Sequence, residues 1–194
     1  MKMQNKVVQE FVNRPGFEAL GNYPLYDTVD LAAAILPPTS TFFQHTIGAN
    51  GIGVTNLLVA GQMPHPERFL ITSINLMILP TVVAGVPAAI TQADMEVIRT
   101  STAIKLTVNG GNEILTAPTA VIPAGNGLVT SLAAAPSVAN GWQLVKNAFP
   151  FVYPLESKVT FSATMERSGA LGTLVAVASV KLILNGIRFR SSQR

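Results

Sequence analysis

The sequence predicts an all-β protein, a sandwich or closed barrel of about eight strands preceded by a short helical arm, and three observations predict it. Beyond the first segment, the apolar positions alternate instead of recurring at helical spacing. Short runs rich in Ile, Val, Thr and aromatic residues are separated by Gly, Pro and Asn, the chemistry of strands and tight turns. Asn-Gly, the strongest short hairpin signal, occurs five times, at Asn50, Asn109, Asn126, Asn140 and Asn185, and four of these suit turns between strands. A chain of 194 residues has material for one ordinary domain, so residues 1–16 read as an arm and 17–194 as a single domain.

In the arm, Val7, Val8, Phe11 and Val12 form one apolar stripe before Pro15 and Gly16 stop the helix. Val8, Phe11 and Val12 are its candidate assembly residues, suited to docking on a neighbour. Strands are expected near 25–31, 41–47, 69–79, 102–108, 113–117, 143–146, 151–153, 158–165 and 173–190. In AIKLTVNGGNEILTA, Asn109-Gly110-Gly111 separates two alternating runs and predicts a hairpin, because both central residues of a type I′ turn need positive φ. Gly186 falls inside the long run VASVKLILNGIRFR and predicts a bulge that bends one strand. Residues 116–142, rich in Pro, Gly, Ala and Ser, read as a long loop. The wide spacing of the strands makes a jelly roll the leading topology, with an immunoglobulin-like sandwich as the alternative.

The stretch FLITSINLMILPTVVAGVPAAITQA has no charged side chain over 25 residues, long enough to cross a bilayer as a helix. Pro80, Gly85 and Pro87 interrupt it, and its Ile, Val and Thr favour a strand over 69–79 followed by a loop. MKMQNKVVQEFVNRPG has no basic region followed by an apolar one and so does not read as a secretory signal.

Charged residues make up 12% of the chain, against about 25% in a typical soluble domain. Residues 31–66 and 114–145 also carry no Asp, Glu, Lys or Arg, although both contain turn residues that belong at a surface. Depletion of charge marks the centre of an interface, so other subunits are expected to cover these segments. The net charge of +3 does not by itself imply nucleic acid.

No catalytic, cofactor or metal site is assigned. Cysteine is absent, which excludes disulfides, thiolate metal sites and a cysteine nucleophile. His45 and His65 stand in different segments without ligand spacing and read as structural. The carboxylate candidates are Asp27 with Asp30, and Asp94 with Glu96; on a strand the latter pair would share a face and suit a hard cation. The ends are basic: Lys181, Arg188, Arg190 and Arg194 follow one another without an acid, and Lys2, Lys6 and Arg14 lie in the arm. Arg188, Arg190 and Arg194 are the candidate contacts to phosphates of a genome or to lipid headgroups.

FPFVYPLESKVTFSATMERS, then SVKLILNGIRFR, together with PERFLITSINLMI, resembles the strands of single jelly-roll capsid proteins from tailless icosahedral bacteriophages that enclose an internal membrane. The resemblance touches about a third of the chain and rests on a strand pattern ending in Gly186, Ile187, Phe189 and Arg190. It implies a structural virion protein, not an enzyme, that self-assembles with copies of itself and other capsid proteins into an icosahedral shell in the host cytoplasm. It also implies the viral membrane or genome as partners of the basic termini, and no small-molecule substrate. The alternative is a carbohydrate-binding, decoration or receptor-binding β-sandwich module of a phage.

Overall fold

The computed structural model describes residues 2–31, 39–80, 82–83, 86–87, 92–122, 127–129, 138–140, 149–167 and 178–192. Its elements in chain order are α1 (Lys2–Val12), β1 (Phe17–Asn22), β2 (Leu25–Leu31), β3 (Thr39–Phe42), α2 (Ile47–Asn50) and β4 (Arg68–Pro80). The short strands β5 (Val82–Val83) and β6 (Val86–Pro87) precede α3 (Gln92–Ser101), β7 (Thr102–Val108), β8 (Asn112–Pro118) and a 3-10 turn, Thr119–Val121. Then come β9 (Gly127–Val129), β10 (Val138–Asn140), β11 (Phe149–Leu155), β12 (Phe161–Arg167) and β13 (Ala178–Ser191).

Two antiparallel sheets form the body. One runs β1–β13–β4–β11, with β2 following β1 along the same side of β13; the other runs β3–β12–β7–β8. The pairing is nested about the β7–β8 hairpin: β4 pairs β11, β3 pairs β12 and β2 pairs β13, each pair enclosing the one before it in sequence. The β13–β4 and β12–β7 pairings then join the nested pairs sideways. Alternation supplies the core. Val180, Leu182 and Leu184 of β13 and Leu76 and Ile78 of β4 meet Ile104 and Leu106 of β7 and Phe161, Ala163 and Met165 of β12 in one buried cluster. The all-β sandwich expected from the alternating runs is therefore present.

The β7–β8 turn follows its chemistry, with positive φ at Asn109 (51°), Gly110 (74°) and Gly111 (146°). Several expectations are corrected. ADMEV lies on a helix, not a strand: α3 buries Met95 and Ile98, three residues apart, so Asp94 and Glu96 do not share a face. The strand expected over 41–47 ends at Phe42, because Phe43 takes φ +66°. Residues 116–118 belong to β8, and β9 pairs β10 within the segment read as a loop. The strand expected at 143–146 lies outside the described residues.

A bulge does occur at Gly186, but on the partner strand. Asn185 faces Ser73 and Gly186 faces Ile71, which leaves Thr72 of β4 as the extra residue. Thr72 Oγ1 donates to the Asn185 carbonyl at 3.2 Å. The bulge shifts the alternation of β4, so Phe69 and Ile71 before it and Ile74, Leu76 and Ile78 after it all face the core.

Candidate functional site

The arm is seated on its own body. Beyond the bulge, Arg68 faces Phe189 and Leu70 faces Ile187 across β4 and β13, on the side of the sheet away from the main core. Phe11 of α1 closes this cluster, meeting the Phe189 ring edge-on at 5.6 Å, with Val8, Phe17 and Ile187 around it. Arg68, only 2% exposed, holds its guanidinium 3.8 Å from the Phe11 ring centre and 4.8 Å from that of Phe17. Burying that charge requires partners. Its Nε and Nη2 donate to Glu156 at 2.7 and 3.0 Å, and its Nη1 donates to the Phe11 carbonyl at 3.2 Å. Arg14 adds a second guanidinium to Glu156 at 3.3 Å. The apolar stripe expected to face a neighbour is thus divided: Phe11 is buried within the chain, Val8 is half-buried and Val12 is exposed. A groove of about 760 Å³ remains between α1 and the end of β11.

A second constellation fixes the connection from β3 to β4. Asp27, fully buried on β2, accepts hydrogen bonds from the backbone N–H of Phe43 (2.5 Å) and Gln44 (3.1 Å), and Oδ1 lies 2.9 Å from His45 Nδ1. A carboxylate from one sheet thereby anchors the end of a strand in the other. The Phe43 ring packs on Phe161 at 5.2 Å. The sequence presented Asp27 and His45 as unrelated candidates; their pairing depends on β2 and β3 lying close across the sandwich. Among the described residues, no group of three or more His, Cys, Asp or Glu is placed to hold a metal ion.

From His45 onward the connection straps the edge of β2. Asn56 Oδ1 accepts from Tyr26 N–H at 3.0 Å, Asn56 Nδ2 donates to the Pro24 carbonyl, and Thr55 Oγ1 donates to the Tyr26 carbonyl. Tyr26 OH, Thr28 Oγ1 and Lys181 Nζ donate to the carbonyls of Ile52, Val54 and Gly53 at 2.6, 2.8 and 2.9 Å. Edge groups that would otherwise recruit another strand are satisfied within the chain. The strap nevertheless holds aliphatic side chains in solvent: Ile52 is 68% exposed, Leu58 61% and Val59 42%.

The basic C-terminal run is largely engaged. Arg188 pairs through Nε and Nη2 with Glu67, the Nε bond measuring 2.9 Å, and lies over the Tyr23 ring. Lys181 lies 4.8 Å from the Tyr26 ring centre, and desolvation holds its pKa below the ordinary lysine value. Arg190 is exposed opposite Glu18, and Arg194 lies outside the described residues. Asp30 accepts from Ser179 Oγ at 2.5 Å, and His65 Nδ1 is 3.4 Å from Ser157 Oγ. Among the described residues no helix is long and apolar enough to cross a membrane; the uncharged stretch enters β4 and, at its end, α3.

These features define an all-β sandwich with a docked arm and a strapped, uncharged, aliphatic surface. No protein-family model matches the chain, and no curated protein matches it.

Proposed function

We propose that the sandwich is a jelly roll and that the chain is a structural subunit of an icosahedral virus shell, assembling with copies of itself and other shell proteins. Support for the jelly roll is the nested pairing: β2–β13, β3–β12, β4–β11 and β7–β8 form one long antiparallel ribbon rolled into two facing sheets. The strand resemblance described above points the same way.

The observation that carries the functional reading is the strap. Residues 31–66 hold no charge, and within them the path from Phe43 to Asn56 is fixed by backbone N–H groups donating to Asp27 and by Tyr26, Thr28 and Lys181 donating to carbonyls, while Ile52, Leu58 and Val59 stay exposed. A flexible uncharged loop would be free to fold its aliphatic groups inward. A preorganised one presents them to a partner, each worth roughly 1.5–3 kcal/mol when fully covered. Subunits tiled side by side supply that cover on several flanks.

Ile52→Glu with Leu58→Glu tests the reading. Loss of assembly by light scattering at unchanged thermal stability is the expected result. Assembly unaffected by both charges would remove the strap from the interface. The carbohydrate-binding alternative has less support among the described residues: Tyr23 and Tyr26 lie beneath cations, and Tyr153 stacks on Phe151.

A further inference from the structure

We propose that α1 is an exchangeable element, and that in the assembled protein the arm of one copy seats in the Arg68 socket of a second copy. The proposal rests on the shell-subunit reading and specifies how two subunits interlock.

The framework of the socket belongs to the body, and the arm supplies Phe11 and its carbonyl to close it. Arg68 and Leu70 stand on β4, Phe189 on β13 and Glu156 directly after β11, so their backbones are placed by the sheet. Among its described side chains, α1 is held by the buried Phe11 and the half-buried Val8, with the Phe11 carbonyl on Arg68 Nη1 and the exposed Arg14–Glu156 pair just beyond it. These groups are the same in every copy, so docking between copies reproduces every contact of docking within one. An 11-residue helix is too short to persist alone in water, so a released arm regains its structure only in a socket. Which socket it finds is then a matter of effective concentration, and packed neighbours raise that of the second copy.

The connection permits the exchange. Asn13, Arg14, Pro15 and Gly16 are all exposed, with Gly16 at φ +83°. Four residues extend to about 14 Å, and the proline directs Arg14 toward the extended conformation. Val12, 39% exposed, leaves one apolar group of the docked helix free to meet the neighbouring body.

The absence of native cysteine makes a direct test available. Gln9 and Pro154 line the groove from opposite sides. Full-length chains carrying only Gln9→Cys or only Pro154→Cys are mixed and treated with a short bismaleimide over a concentration series followed by light scattering. Exchange predicts an inter-chain adduct that appears with assembly and falls at least about tenfold when Phe11→Ala is added. As a second readout, the chain carrying both cysteines, linked within the monomer, should then fail to assemble. Assemblies without the mixed adduct, or normal assembly of the internally linked chain, would overturn exchange and leave the shell reading standing. The adduct in species no larger than dimers would support exchange and count against the shell. Absence of both adduct and assembly would overturn both.

Discussion

Gly186 shows how a residue legible in the sequence acquires a different reason in the fold. Its φ is not positive, and the extra residue of the bulge is Thr72 on the opposite strand. Glycine is needed because a Cβ there would collide with the Leu70 carbonyl and fall 2.6 Å from the Phe69 ring. Gly186→Ala should therefore cost about 3 kcal/mol, measured by urea denaturation, because backbone and a fully buried ring must both move. Asp27 makes the complementary case. In the sequence it stood out only beside Asp30 as a carboxylate candidate, since its partners at Phe43, Gln44 and His45 are set by packing between sheets and not by local spacing. Asp27→Ala leaves two backbone N–H groups without their acceptor and should lower stability by roughly 3 kcal/mol. His45→Ala leaves those two bonds intact and should cost clearly less in the same measurement. Equal losses would show that the backbone bonds are not what Asp27 contributes.

Strands with one buried face were the legible elements. LYDTVDL and TAIKLTV alternate because their inner residues enter the core, and the Asn-Gly turn followed directly. FEALGN of β1 gave no such signal, since nearly all of it is exposed and it is held by backbone pairing to β13. The α3 helix was hidden for another reason: among its described side chains the fully buried hydrophobic ones are Met95 and Ile98, too few to establish a helical period. On β11, Pro150 and Pro154 remove ladder donors, so this edge is suited to side-chain packing and not to strand addition. The strap over β2 carries a pH signature. Burial, then repulsion from Tyr23, raises the Tyr26 phenol above its ordinary 10.0. The folded state holds that proton more tightly than the unfolded chain, so the contribution is intact below pH about 10 and lost as pH rises through the higher folded value. Alkaline unfolding should start later in Tyr26→Phe than in the parent, once each is compared with its own stability at pH 7. Identical alkaline shifts would exclude Tyr26 as the group responsible.

At the scale of the whole molecule, nested pairing places residues far apart in sequence side by side: Leu25 meets Leu184, and Thr39 meets Glu166. A single sequence reveals the strands but not these partnerships, because pairing between strands far apart in the chain is set by packing of the whole sandwich and not by local spacing. The low charge was legible and has a definite place in the fold, since the uncharged 31–66 segment contains the strap and its exposed aliphatic groups. The basic ends were legible as composition but not as contacts, because Arg188 is committed to Glu67 and Lys181 to the strap. On the proposed shell-subunit reading, assembly is what the arm, the strap and the blunted edge serve together. Light scattering coupled to size-exclusion chromatography, on the full chain over a concentration series, tests it most directly. The shell-subunit reading predicts a molar mass that climbs with concentration to large multiples of the 20.5 kDa chain. A strict monomer at every concentration would contradict it.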